Sequence, residues 1–129
     1  MILDTTFLID LEREVRRRSP GPAAAVLEAG GAQARFAVCE VAAGELAEGY
    51  PDSERRAFDR FTRFFERLAV DREIAWCWSR LSRWARDRGR PVGDNDLWIA
   101  ACAVHHARPL VTRNAGHFDQ LPGLVVIGY

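Results

Sequence analysis

Acidic side chains at three separate places in the chain are the residues best suited to chemistry. Asp94 and Asp96 stand two residues apart, where a polar Gly/Pro stretch gives way to an apolar helix. Asp4 ends a short apolar run at the N-terminus, and Glu45 lies among small residues further on. Mg²⁺ and Mn²⁺ prefer carboxylate clusters, and without a cation such neighbouring acids would repel one another. The chemistry that this cluster could serve is metal-assisted hydrolysis of a phosphodiester bond.

The aspartates also have an ordinary structural interpretation as helix N-caps. Asp4 could cap the first helix, but Thr5 and Thr6 follow it and are available for that position. Of the two later aspartates, Asp94 is the better candidate for a cap. That assignment leaves Asp96 in the first helical turn, free to point along the edge of the sheet.

Three glutamates surround the helix that follows the second predicted strand. They are Glu40, Glu45 and Glu48. A solvated helix face is their simplest interpretation. Glu40 sits at the carboxyl edge of the strand, whereas Glu45 has small neighbours that would let a carboxylate approach a cleft. The choice between Glu40 and Glu45 as the second acid stays open at this point.

The elements that must position these acids are short apolar strands alternating with helices. We predict strands near residues 1–3, 35–39, 68–71, 109–112 and 124–127, and helices over about 7–18, 23–29, 41–49, 53–68, 73–88 and 96–106. This alternation predicts an α/β fold, a three-layer α/β/α sandwich around a mostly parallel sheet. Ligands of such sheets bind beyond the carboxyl ends of the strands, which is where Asp4 falls.

Length and composition exclude several classes of protein. At 129 residues the chain is predicted to form one domain, 1–129. Its formal net charge is zero, so nucleic-acid coating through bulk charge is not expected, and the absence of Lys excludes lysine chemistry. No apolar run approaches the ~20 residues of a membrane span, and no signal-peptide pattern is present. We therefore expect a cytoplasmic protein without membrane contact, whose three cysteines are core residues.

Four segments resemble, in order, the motifs of PIN-domain ribonucleases of the VapC toxin type. They are residues 1–11, the E-L-x-x-G segment 45–49, residues 94–101 and residues 110–118. Each match alone is weak. Together, in the order of the family and across the whole chain, they are specific.

The resemblance implies a metal-dependent endoribonuclease, the toxin of a type II toxin–antitoxin pair, with RNA as substrate and transfer RNA as one candidate. Carried over residue by residue, it implies that Mg²⁺ or Mn²⁺ binds Asp4, Glu45 and Asp96. Thr5 would assist at the substrate, and Asp94 is a further candidate ligand. The expected partner is an antitoxin protein, in a homodimer or a toxin–antitoxin hetero-oligomer.

The fourth segment departs from the family pattern at one position. Where some members carry an aspartate, this chain has Asn114, which could orient water or phosphate, and the adjacent Arg113 could contact phosphate. His117 is expected to be a surface residue. Asn114 leaves an alternative function, a PIN-like module that has lost catalysis and binds RNA or protein. A phosphate-accepting receiver domain ranks below both, since it usually needs paired N-terminal acids and a late Lys.

Two further patterns concern the surface. An arginine stripe on the predicted helix 53–68 comprises Arg56, Arg60, Arg63 and Arg67. It indicates an ordinary amphipathic helix, with an RNA-contacting surface as the alternative. The four tryptophans are Trp76, Trp78, Trp84 and Trp98. Core packing is expected for each of them, with a groove for a partner as the alternative.

Overall fold

The computed structural model describes residues 1–31 and 33–129 and contains a five-stranded parallel sheet. Its strands are β1 (Ile2–Leu3), β2 (Ala37–Cys39), β3 (Glu66–Leu68), β4 (Leu110–Thr112) and β5 (Val126–Gly128). They lie in the order β3-β2-β1-β4-β5, and every neighbouring pair is parallel. In chain order, β2 and β3 are added on one side of β1, and β4 and β5 are then added on its other side. The strand order therefore reverses between β1 and β4.

In the part of the chain that the structure describes, seven helices flank the sheet, which confirms the predicted three-layer α/β/α sandwich. They are α1 (Thr5–Arg17), α2 (Pro22–Gly30), α3 (Glu40–Ala47), α4 (Arg55–Thr62), α5 (Arg72–Asp87), α6 (Asp94–His105) and α7 (Ala115–Phe118), with a 3-10 turn at Asp52–Glu54. The central strands are apolar on both faces because both faces are covered: Leu3, Val38 and Val111 are fully buried. Among the described residues, no helix is long and apolar enough to cross a membrane.

The prediction of one long helix over residues 53–68 is wrong. Helix α4 ends at Thr62, and β3 begins after three intervening residues, at Glu66. The amide of Glu66 donates to the carbonyl of Phe36, so this segment satisfies its backbone groups by pairing beside β2. Arg67 consequently lies on a strand, where it pairs with Glu40 at 2.5 Å, and the predicted arginine stripe is interrupted.

The core prediction for the tryptophans holds only in part. Trp78 of α5 and Trp98 of α6 are half-buried and stack with ring centroids 4.9 Å apart, joining the two helices. Trp84 also packs against the core. Trp76 is 63% exposed, so the core prediction is wrong for that residue. Cys39 and Cys102 are buried as expected, and Cys77 is half-buried.

Candidate active site

Asp4 lies directly beyond β1, at the carboxyl edge of the sheet. Its carboxylate is only 3% exposed and accepts three kinds of hydrogen bond. The donors are the amide of Phe7 at 2.8 Å, the hydroxyl of Thr6 at 2.9 Å and the hydroxyl of Thr112 at 2.5 Å. Asp4 is thus itself the N-cap of α1, and the expectation that Thr5 or Thr6 caps this helix is wrong. Helix α1 therefore begins at Thr5, whereas a cap at Thr5 or Thr6 would have started it one or two residues later.

Burial raises the pKa of Asp4 above its ordinary value, because a low-dielectric environment disfavours the charged form. Hydrogen bonds from Thr112, Phe7 and Thr6 oppose this effect, as does the charge of Arg113. The net direction is still upward. Asp4 is therefore a carboxylate whose charged form would gain from a nearby cation.

Glu45 reaches the same edge from α3. Its carboxylate accepts a hydrogen bond from the hydroxyl of Thr5 and another from the side-chain amide of Asn95 at 2.7 Å. Glu40 belongs elsewhere, since it forms the ion pair with Arg67 of β3 described above. The structure therefore places Glu45, and not Glu40, between the starts of α1 and α6.

Asp96 is the third acid at this edge. Burial raises its pKa, and the negative charges of Glu45 and Asp4 raise it further, which means that both carboxylates repel the charged form of Asp96. His117 opposes the shift, and its Nδ1 lies 4.0 Å from an oxygen of Asp96. The acids predicted from distant parts of the sequence thus gather at one place.

Asp94 points away from this cluster. The predicted role of Asp94 as N-cap is wrong, because the amide of Leu97 bonds to the carbonyl of Gly93 at 2.9 Å, so the helix begins at Asp94 itself. Two residues apart on a helix, Asp94 and Asp96 project about 200° from each other. Asp94 lines a groove along α5, whereas Asp96 lines a separate cavity near α7.

Arg113 and Asn114 follow β4 at the rim of the cluster. Arg113 forms an ion pair of 2.8 Å with Asp10, which also accepts a hydrogen bond from the hydroxyl of Tyr129. The backbone amide of Asn114 donates to the hydroxyl oxygen of Thr112 at 2.9 Å, and its side chain is exposed. The charge of Arg113 acts on Asp4, whereas in the described residues Asn114 contributes no side-chain hydrogen bond to the acids.

Sequence reasoning missed or undervalued three polar neighbours of the acids. They are Thr112, which is fully buried at the end of β4, Asn95 between the two aspartates, and His117. A signal existed for Thr112, because it ends a buried strand at the edge where Asp4 was expected. Its hydrogen bond to Asp4 could not be predicted, because the sequence does not show that β1 and β4 are neighbours.

The donor set suits a hard divalent cation. All three acids offer oxygen ligands, and a cation would offset both the burial of Asp96 and its repulsion by Glu45 and Asp4, which together raise its pKa. As they stand, no three His, Cys, Asp or Glu side chains of the described part of the chain lie close enough together to hold one ion. Glu45 is turned toward Thr5 and Asn95, so it would have to rotate to join Asp4 and Asp96.

A parallel α/β/α sandwich with acids at its carboxyl edge is the arrangement of the PIN domain. The model of the PIN-domain family matches residues 1–124 of the chain. The chain is 34% identical over 125 residues to ribonuclease VapC19 of Mycobacterium tuberculosis, covering 95% of each chain. It is 30% identical over 122 residues to ribonuclease VapC1 of Methanocaldococcus jannaschii, covering 94% of this chain and 80% of the relative. The chain therefore belongs to the VapC ribonucleases of the PIN-domain family.

Solved structures with the same fold come from complexes. VapBC2 from Rickettsia felis, bound to a DNA fragment from its promoter, superposes with a TM-score of 0.84 at 20% identity, over 99% of this chain and 97% of that chain. VapBC-5 from M. tuberculosis has a TM-score of 0.69 at 26% identity, with coverage of 99% and 97%. VapBC-1 from nontypeable Haemophilus influenzae has a TM-score of 0.75 at 25% identity, with coverage of 98% and 96%. The resemblance seen in the sequence is confirmed.

Proposed function

We propose that this protein is the ribonuclease toxin of a toxin–antitoxin pair and cleaves RNA with Mg²⁺ or Mn²⁺ bound by Asp4, Glu45 and Asp96. The observation that carries the proposal is the convergence of these three carboxylates where the strand order reverses. Ligand sites of open parallel sheets occur at such reversals. The named activity of the relatives, ribonuclease, agrees with an acidic site of this kind.

Each acid has a distinct part in holding the ion. Asp4 is held in one orientation by its hydrogen bonds and would serve as the fixed ligand. Asp96 stands on the first turn of α6, and Glu45 would turn from Thr5 and Asn95 toward the metal. When bound, the ion activates water and neutralises charge on the phosphate. Asp94 lies outside this set.

Groups at the rim of the cluster would position the RNA. Thr5, once released by Glu45, offers a hydroxyl to the substrate, and Arg113 offers its guanidinium to a phosphate. The side chain of Asn114 is exposed beside them and could orient the attacked phosphate. Transfer RNA is one candidate substrate.

The partner that we propose is an antitoxin protein, in a hetero-oligomer that could also contain a toxin homodimer. Support comes from structural neighbours that belong to VapBC systems and from one from Klebsiella pneumoniae that is a toxin–antitoxin complex.

The test is cleavage of an RNA panel, including transfer RNA, by the purified protein with Mg²⁺, Mn²⁺ or EDTA. We expect cleavage with either metal, none with EDTA, and none by Asp4→Asn or Asp96→Asn. Cleavage that survives EDTA and both substitutions would overturn the proposed site. Absence of both cleavage and metal-dependent stabilisation would favour the alternative, a PIN-like module that only binds RNA or protein.

A further inference from the structure

A cavity of about 580 Å³ opens directly beside Asp96, between the loop that joins α5 to α6 and the short helix α7. Its polar and aromatic lining consists of Trp84, Arg90, Asp96, His117 and Gln120. Ligand pockets for small molecules have volumes of about 300–1,000 Å³. The cavity therefore has room for one nucleotide unit, and Asp96 connects it to the acidic cluster.

We propose that this cavity is a subsite for the nucleotide next to the scissile phosphate of the RNA. The inference rests on the proposed function, because that function places the phosphate at the acids. A nucleotide joined to that phosphate must lie over a surface bordering the cluster. The lining of the cavity suits a nucleotide. The indole of Trp84 can contact a base, the guanidinium of Arg90 can bind a phosphate, and the carboxamide of Gln120 can bond to a base edge.

The other side of the cluster is less suited to RNA. A second cavity borders Glu45 and includes Arg13 and Arg16. Both guanidinium groups are already paired with carboxylates. The partners are Asp10 for Arg13, and Glu12 and Glu54 for Arg16. Arg16 thus has two carboxylate partners, and Arg13 shares Asp10 with Arg113.

Arg90 differs from those arginines in its surroundings. Across residues 1–31 and 33–129, no carboxylate forms an ion pair with Arg90, and its side chain is exposed. An arginine without a carboxylate partner can bind a phosphate without first giving up an ion pair. Charge thus favours the cavity beside Asp96 as the side on which the RNA continues.

The chain supplies a matched control for the aromatic contact. Trp84 has the guanidinium of Arg88 over its ring at 4.5 Å, and Trp76 has that of Arg80 in the same arrangement at 4.4 Å. In each pair the arginine follows the tryptophan by four residues, Arg80 within α5 and Arg88 directly after its last residue. Trp84 lines the cavity, whereas Trp76 does not.

The experiment measures binding of four fluorescent single-stranded RNA hexanucleotides, A₆, C₆, G₆ and U₆, by anisotropy in EDTA, so that no metal-dependent cleavage occurs. Trp84→Leu is expected to weaken binding about tenfold and Trp84→Phe to restore most of it, since stacking tolerates any aromatic ring. Trp76→Leu should bind like the wild type. Arg90→Ala should make the negative slope of log association constant against log salt concentration shallower by about 0.7. This is the change expected when one phosphate contact with a single strand is lost. Gln120→Ala should change the preference among the four RNAs.

The outcomes separate this proposal from the function on which it rests. Wild-type binding by Trp84→Leu and Arg90→Ala, in a protein that cleaves RNA, would overturn the subsite and leave the ribonuclease function standing. Binding that depends on these residues, in a protein that cleaves no RNA with metal, would support RNA binding in this cavity but overturn both the ribonuclease function and the definition of the cavity by a scissile phosphate. Failure of all four hexanucleotides to bind the wild type would overturn the subsite and leave the cavity to a protein partner.

Discussion

The hydroxyl of Thr112 donates a hydrogen bond of 2.5 Å to the carboxylate of Asp4, across 108 positions of the chain. The contact exists because β1 and β4 are parallel neighbours, and the amide of Asp4 also donates to the carbonyl of Val111 at 3.2 Å. The Thr112–Asp4 hydrogen bond lies where the strand order reverses, between β1 and β4. A buried acid that would otherwise be only a helix cap is thereby held in a defined orientation.

Thr112→Val should reduce RNA cleavage about 10–100-fold, as does loss of other partners that orient a metal ligand. It should also move the acid limb of the pH–rate profile to higher pH. The hydroxyl of Thr112 lowers the pKa of Asp4, so without it the carboxyl stays protonated, and unable to bind metal, to a higher pH. The matched control is Thr62→Val, since Thr62 is also buried but bonds to a carbonyl of α4. An unchanged profile for Thr112→Val would show that Thr112 does not orient Asp4.

Asp96→Asn should abolish cleavage and, in EDTA, raise the melting temperature at neutral pH. The pKa of Asp96 is raised above its ordinary 3.8 in the folded protein, so the folded state binds this proton more tightly than the unfolded chain. The wild type therefore loses stability as pH rises from below 3.8 through the raised pKa, and the asparagine variant does not. The gain in melting temperature should shrink between pH 7 and pH 4. Asp94→Asn should cleave like the wild type; if it instead behaves like Asp96→Asn, the two roles are wrongly assigned.

Glu45→Gln and Glu40→Gln separate the two glutamates that the sequence left open. Glu45→Gln should reduce cleavage on the order of 100-fold or more, because loss of even an outer partner of a metal ligand costs about 10–100-fold. Gln can still accept the bond from Asn95 at its single Oε1, and its Nε2 can donate to the hydroxyl oxygen of Thr5, so the fold should be kept. Glu40→Gln loses a partly exposed ion pair with Arg67, worth about 0–1 kcal/mol, and should retain full activity. The reverse pattern of activities would make Glu40 the second acid.

Metal binding should be visible without RNA. Mn²⁺ at about 100 times its dissociation constant should stabilise the folded protein by about 2.7 kcal/mol and raise the melting temperature by roughly 10 °C. Asp4→Asn and Asp96→Asn should lose this rise, because each removes a proposed ligand, while Glu40→Gln should keep it. A rise that both aspartate variants retain would place the metal elsewhere.

The sequence predicted the layers of the fold well but misplaced β3, whose residues lack the apolar pattern of a strand. Phe58, Phe61 and Phe65 continue a helical spacing, and this spacing suggested a helix to residue 68. Strand β3 instead begins at Glu66, and the first two of its three side chains are exposed because it is an edge strand. Only its backbone pairing with β2 shows that it is a strand.

The sequence by itself determined the α/β class, the family and the short list of acids, because strand ends, helix starts and motif order are local properties of the chain. Only the tertiary structure decided which of those acids meet. Asp96 and Glu45 face the cluster, while Asp94 and Glu40 do not, because residues two or five apart on a helix project about 140–200° from each other. The rotation of α3 and α6 about their own axes is set by packing against distant elements. No local pattern contains that information.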